Sequence, residues 1–185
     1  MIRFFDFLFS LLGLLFLSPI LFTLLLICYL DTGSPIFCQV RVGLGKKPFN
    51  LMKFRSMYLN APSVATHLVC ASSITRFGGY LRRSKLDELP QLWNVFVGNM
   101  SLVGPRPNLL NQEELIIERE SRGVYLVRPG ITGLSQIKKI DMSTPKFLAE
   151  TDEEMIKGMN ILQYFKYIFL TFFGKGFGDR IKERK

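Results

Sequence analysis

From Phe7 to Leu30 the chain carries no charged residue. Such a run is nominally long enough to cross the roughly 30 Å hydrocarbon core of a bilayer as one helix. Its middle reads Leu17-Ser18-Pro19. Pro19 has no N–H to give Leu15, and its ring crowds that carbonyl. Ser18 can bond back to Leu14 and deepen the bend. The halves, Phe4–Leu17 and Pro19–Leu30, would be roughly 21 and 18 Å long, so neither reaches across alone. The expectation is a re-entrant membrane helix over residues 1–31, kinked at Ser18 and Pro19, entering and leaving on one face. A straight or mildly bent spanning helix is the alternative, because proline is tolerated inside membranes. A cleaved signal peptide does not fit: the run is too long, its start carries only Arg3 with Asp6, and no small-x-small site follows.

The remainder, residues 32–185, is expected to form one cytoplasmic, membrane-associated catalytic domain. The whole chain is basic, with a net charge of +9, yet 48% of its residues are hydrophobic and 17 are phenylalanine. That pairing excludes an ordinary soluble nucleic-acid binder and suggests an anionic membrane surface, anionic substrates, or both. Cys28, Cys38 and Cys70 share no metal-like spacing, and their odd number argues against a disulfide framework.

The predicted fold class is α+β and mostly helical. Ile36–Val42 and Pro48–Phe54 read as two strands around Gly43-Leu-Gly45-Lys-Lys47, hence a β-hairpin. The Gly-x-Gly there lacks the third glycine and the long helix of a nucleotide loop. Ala61–Ser73 reads as a loop holding His67, the single histidine, which alone makes a poor metal site or base. Gly78 to Gly98 is helical in pattern, as are Leu109–Arg122, Pro145–Gly158 and Met159–Phe173, while Pro129, Gly130 and Gly133 mark a loop. The aromatics and Lys166 of the last helix suit a surface amphipathic helix at a membrane interface; packing on the protein core is the other reading. The mostly basic tail Arg180–Lys185 suits anionic headgroups.

"SKLDELPQLWNVFVGNMSLVGPRP" holds two adjacent acids, Asp87 and Glu88, and an arginine between two prolines, Arg106. Ser84-x-x-Asp87 fits a capping box, which would make Asp87 a structural cap. Against that stands Pro90, one turn on. Side chains one residue apart on a helix diverge by about 100°, so the pair cannot share a proton but can flank one ligand. Asp87, Gln91 and Asn94 would share a polar face, and Leu86, Leu89, Trp93 and Val97 an apolar one. Around the pair the sequence places Lys53, Arg55, Arg76, Arg82, Arg83, Lys85, Arg106 and Arg128. A rigidly held arginine suits bidentate phosphate binding. Asp as nucleophile and Glu as a ligand to a hard cation make a workable phosphoryl-transfer set.

"KFRSM" (Lys53–Met57), the block from Thr75 to Pro107 and "RPGITGLSQ" (Arg128–Gln136) resemble the monotopic phosphoglycosyl transferases, the small bacterial sugar transferases. The N-terminal run with Ser18-Pro19 matches too. The resemblance implies transfer of a sugar-1-phosphate from a UDP-sugar to polyprenyl (undecaprenyl) phosphate with release of UMP, the first membrane step of glycoconjugate assembly. It implies Mg²⁺ as cofactor and a place on the cytoplasmic face of the bacterial inner membrane, among its lipids. By the same resemblance Asp87 would attack the β-phosphate and carry a covalent phosphosugar, and Glu88 would bind Mg²⁺. Arg106 would steady phosphate charge, with Lys53, Arg55, Arg82 or Arg83, Arg128 and Gln136 at the substrates. After Pro-Gly-Ile-Thr-Gly many members continue Ala-Gln-Val-Asn-Gly-Arg; here Leu134-Ser-Gln-Ile-Lys-Lys-Ile140 lacks the arginine, leaving Lys138 or Lys139 as substitutes. The alternative function is a non-enzymatic peripheral protein binding anionic lipid through its basic face. No stacking-aromatic motif supports a nucleic-acid partner, and nothing in the residues selects the sugar.

Overall fold

Pro19 breaks the apolar run into two helices of 15 residues each, α1 (Ile2–Phe16) and α2 (Ser18–Thr32). In the computed structural model, which describes residues 1–61 and 71–174, they meet at 65°. The Ser18 hydroxyl donates to the Leu15 carbonyl at 2.7 Å, not to Leu14 as expected. Each helix is about 22 Å long, and among the described residues no single helix is long and apolar enough to cross a membrane. Gly33 ends α2 in the left-handed conformation, which costs glycine nothing.

The two strands lie where the alternation of the sequence puts them: β1 (Ile36–Val42) and β2 (Pro48–Phe54) pair antiparallel, from Ile36 opposite Phe54 to Val42 opposite Pro48. A strand presents alternate residues to opposite faces, and this hairpin is buried on both near β2. Phe54 packs with Leu24, Cys28 and Leu81; Leu51 packs with Val95 and Met100. The Gly-x-Gly turn between the strands is closed by a short 3₁₀ turn, and Lys46 in it pairs with Glu120.

The helix expected from Gly78 to Gly98 is three pieces. These are α3 (Arg76–Ser84), a 3₁₀ turn over Leu86–Glu88, and α4 (Gln91–Phe96) with Pro90 just before its first turn. Lys85 stops α3 in the left-handed conformation at φ 61°. Ser84 is no cap: its hydroxyl donates backwards to the Tyr80 carbonyl at 2.9 Å, so the capping box is not formed. Thr75 caps α3 instead, accepting from the Gly78 amide at 2.8 Å. Gly78 is required, because a Cβ there would lie 2.0 Å from the Ser56 carbonyl oxygen.

The polar face of α4 is turned inward. Gln91 and Asn94 are buried while Trp93 and Val97 are about half exposed. The cause is hydrogen bonding. Asn94 accepts from the Met52 amide at 3.0 Å and donates to the Asn50 carbonyl at 2.8 Å, which joins α4 to β2.

The stretch marked as a loop at Gly130 contains a strand. β3 (Ser101–Val103) and β4 (Gly130–Thr132) pair in parallel, Ser101 with Gly130 and Val103 with Thr132. A Cβ on Gly130 would sit 2.0 Å from the Gly104 nitrogen, so these backbones can meet only as glycines. Around this core lie α5 (Glu113–Ser121), α6 (Leu134–Ile137), α7 (Pro145–Lys157) and α8 (Ile161–Phe172). On α8, Tyr164 and Tyr167 are buried with Val103 and Met155, while Phe172 is 82% exposed. His67, Cys70 and Arg180–Lys185 lie outside the described residues.

The bent helix pair is part of this body. Arg3 donates to the carbonyls of Val95 and Phe96 at 2.7 and 3.0 Å, where α4 ends. Asp6 is 2% exposed and accepts from the Ser101 hydroxyl, the Leu102 amide and the Tyr164 hydroxyl, at 2.9, 2.9 and 2.8 Å. A carboxylate out of water needs such donors.

Candidate active site

Lys53 lies two residues after Leu51, so the period of β2 puts both on one face. That face looks onto the turn carrying the acid pair. Lys53 Nζ lies 2.8 Å from Glu88 Oε1 and 3.9 Å from Asp87 Oδ2. Arg106 Nη2 reaches the same Glu88 oxygen at 3.2 Å. Asp87 and Glu88 are both buried, at 5% and 9% exposure, whereas Lys53 and Arg106 are partly open to solvent. Burial alone would raise the Glu88 pKa. The charges of Lys53, Arg106 and Lys85, with the Lys53 hydrogen bond, override it and hold this carboxyl well below the usual carboxylate range.

Arg106 sits in Gly104-Pro-Arg-Pro107. Pro105 and Pro107 have no N–H, so beyond the Gly104 amide, which donates to the Thr132 carbonyl at 2.8 Å, this loop is held mainly through its carbonyls. Four consecutive ones are held, each by a different residue. The Pro105 oxygen accepts from the Gly130 amide at 2.9 Å, and the Arg106 oxygen from Arg119 at 2.9 Å. The Pro107 oxygen accepts from Arg41 at 3.4 Å, and the Asn108 oxygen from the Val42 amide at 3.0 Å. Arg119 is 1% exposed. It is fixed in turn by Asp152 of α7 at 2.6 and 3.0 Å, and also donates to Asn108 Oδ1 at 2.9 Å.

Arg41, Arg119, Asn108 and Asp152 were not picked out from the sequence. Two of them had a legible signal. Asp152 stands on the buried stripe of α7 with Leu148 and Met155, and Arg119 stands one turn after buried Leu115 on α5. A charge on an apolar stripe demands a partner. Arg41 gives no such signal, since its environment comes from the loop at Pro107. Burial first, then the positive charge of Arg106, lowers its pKa to about 10, with Glu88 acting the other way.

The predicted residues divide into groups. Asp87, Glu88, Lys53 and Arg106 meet, and Lys85 contributes its charge. Gln136 lies on the wall of a cavity beside Glu88 and Arg106. Arg55 turns to the end of α2, donating to the Ser34 carbonyl at 2.8 Å and lying over the Phe37 ring. Arg128 donates to the Gly98 carbonyl at 2.8 Å. Arg82 and Arg83 occupy the last turn of α3, Arg83 exposed. Lys138 pairs with Glu154 at 3.0 Å on the surface, and Lys139 is exposed.

Two buried acids facing Lys53 and the firmly held Arg106 suit an anionic substrate. The model of the bacterial sugar transferase family matches residues 1–176. The chain belongs to this family. An undecaprenyl-phosphate glucose phosphotransferase of Komagataeibacter xylinus is 39% identical over 183 residues, covering 91% of this chain and 34% of its own length. A UDP-glucose:undecaprenyl-phosphate glucose-1-phosphate transferase of Escherichia coli K12 is 38% identical over 187 residues, 95% of this chain and 40% of that protein. An uncharacterised sugar transferase of Bacillus subtilis is 46% identical over 119 residues, 64% of this chain and 58% of that protein. The chain therefore spans less than two thirds of each of these curated relatives. As a bacterial sugar transferase it is mostly helical, with a bent N-terminal helix pair and, among the described residues, two small sheets.

Proposed function

We propose that this sugar transferase moves a sugar-1-phosphate from a UDP-sugar to polyprenyl phosphate and releases UMP, through a covalent phosphosugar on Asp87. The observation that carries the reading is the acid pair itself. Asp87 is buried next to Glu88, 3.9 Å from Lys53, on a turn whose expected cap is not formed. The names of the Komagataeibacter and Escherichia relatives support the same substrate classes.

Each step balances. An Asp87 carboxylate oxygen forms a bond to the β-phosphorus of the donor, the bond from that phosphorus to the bridging oxygen breaks, and UMP leaves with the electron pair. A phosphate oxygen of the acceptor then attacks the same phosphorus, and the bond to Asp87 breaks and restores the carboxylate. Substrate phosphates compete with Glu88 for Lys53 and Arg106, which draw in both anions. Gln136, and Arg55, Arg82, Arg83 and Arg128 further out, complete the proposed substrate-binding set.

Among the described residues no group of three or more His, Cys, Asp or Glu side chains could enclose a metal. A hard ion such as Mg²⁺ needs only one or two carboxylates and takes phosphate oxygens and water for the rest, so the pair fits it, with Glu88 as the ligand. Mg²⁺ would supply positive charge to the phosphate oxygens.

We propose likewise that residues 1–31 re-enter, and that the domain from residue 32 lies on the cytoplasmic face of the inner membrane. The support is that both ends of the helix pair join one body. Arg3 and Asp6 tie the start of α1 to α4, β3 and α8, and α2 runs into β1 three residues beyond Gly33.

The test is Asp87→Asn. It should melt like the unaltered protein and release no UMP above background, and intact-mass spectrometry of the unaltered protein given UDP-sugar without acceptor should show a phosphosugar adduct. An asparagine variant with most of its turnover intact removes Asp87 from this role. Turnover without an adduct leaves direct attack by the lipid phosphate.

A further inference from the structure

Beside Glu88 lies a cavity of about 210 Å³. Sites that enclose a whole drug-sized ligand run to roughly 300–1,000 Å³, so this one houses part of a larger molecule. Its apolar wall is Leu89, Leu92, Leu102 and Ile131, and its charged wall is Glu88, Arg106 and Lys85.

The remaining polar groups narrow the occupant. Thr171 gives its hydroxyl proton to the Tyr167 carbonyl at 2.9 Å, so in the Thr132–Thr171 contact Thr132 is the donor. Both hydroxyl protons on this wall are thus used within the protein. The Gln136 oxygen accepts from the Ser135 hydroxyl at 3.0 Å, while its amide nitrogen is buried with no hydrogen-bond partner among the described residues. A sugar placed here would desolvate several hydroxyls against leucine and isoleucine, and such burial is unfavourable without partners. An amphiphile with a phosphate head and a hydrocarbon next to it meets a matching surface at both ends.

The cavity also adjoins the bent helix pair. Gly13 of α1 faces Leu92 so closely that a Cβ there would lie 3.1 Å from the leucine methyl. The wall that holds the hydrocarbon is therefore backed by the segment proposed to enter the membrane.

We infer that this cavity is the acceptor subsite. It takes the first isoprene segment of polyprenyl phosphate against Leu92, Leu102 and Ile131, while Arg106, Lys85 and the Gln136 amide meet the phosphate. The inference rests on the transferase reading above and adds where the acceptor sits.

The two half-reactions separate the outcomes. Leu102→Phe and Ile131→Phe narrow the cavity. Each should raise the KM for polyprenyl phosphate roughly tenfold, the scale at which a misfitted methylene is rejected. The KM for UDP-sugar in the acceptor-free burst of UMP should stay where it was. Because a bulky residue could disturb the fold, the unaltered protein is also given monophosphates of increasing isoprenoid length. Acceptor efficiency should climb with the first units and then level off as the cavity fills. A flat length series, or an unmoved acceptor KM in variants that melt normally, overturns the inference. So does a raised UDP-sugar KM in the burst, which would put the sugar in the cavity. If the unaltered protein releases no UMP from any UDP-sugar, the transferase reading itself falls, which is a different result from all of these.

Discussion

At the scale of single residues, the site is one carboxylate oxygen shared by two cations. Lys53 and Arg106 both point at Glu88 Oε1, and the turn leaves Asp87 alongside. The sequence shows these four by type and by proline rigidity. It does not show Arg41 or the Asp152–Arg119–Arg106 relay, because the partners lie 66, 33 and 13 residues apart and meet only through the fold. The depressed Glu88 pKa has a stability consequence. A carboxyl whose folded pKa lies below its unfolded value, near 4.3, contributes stability above that value and loses it as pH falls toward the folded pKa. In that window the unfolded chain binds the proton first, so stability falls with acid. Thermal unfolding in detergent at intervals from about pH 6 to pH 3 should therefore decline more steeply for the unaltered protein than for Glu88→Gln. At neutral pH the glutamine variant should melt lower, since Lys53 and Arg106 lose their counter-charge. Parallel acid limbs for the two proteins would mean that other groups set the acid response.

At the scale of elements, the strong periodic signals were readable and the short ones were not. The hairpin of β1 and β2 and helices α7 and α8 follow from alternation and apolar stripes. The break at Pro90 is visible as a residue, but the inward turn of the polar face of α4 is not. Its polar face is inward because Asn94 closes backbone groups of β2, a partner more than forty residues away. The parallel pair β3–β4 is three residues per strand, too short for any period, and its only trace is the glycine at each contact. Between elements the telling contact is Arg119, through which α5 and α7 hold the loop of Arg106. Removing one partner of a buried ion pair typically costs about 3–5 kcal/mol, so Arg119→Ala should be strongly destabilised. Arg119→Lys keeps the charge but not the fork that serves Asp152, Asn108 and the Arg106 carbonyl together. It should fold at a reduced melting temperature, with kcat for UMP release lowered and the UDP-sugar KM little changed, as expected when a group that acts in the transition state is loosened. A lysine variant that is less stable but has an unaltered kcat would make Arg119 a purely structural residue.

At the scale of the whole molecule, the apolar run and the catalytic body are one construction. The sequence shows the break at Ser18-Pro19 plainly, and it shows that neither half can span. It could not show that the two charged residues before the run are anchors. Arg3 and Asp6 look like flanks, yet Asp6 satisfies three donors from β3 and α8, and losing it would strand each of them at roughly 1–3 kcal/mol. Such ties oppose any topology that carries the start of α1 to the far side of a bilayer while the body stays behind. They also fix Glu88 relative to the bent helix pair, because α1 packs against the α4 that follows it. The consequence can be read with a membrane-impermeant thiol reagent on sealed vesicles, in protein whose three native cysteines are replaced. Ser34→Cys, after α2, should label from the face that holds the body, and an N-terminal tag should be cut from that same face. Ser18→Cys, exposed on the protein at the bend, should label from neither face, because the proposed re-entrant topology places it in lipid. Labelling of residue 34 and cutting of the tag from opposite faces would show a spanning helix, and would require Arg3 and Asp6 to leave the partners they hold here.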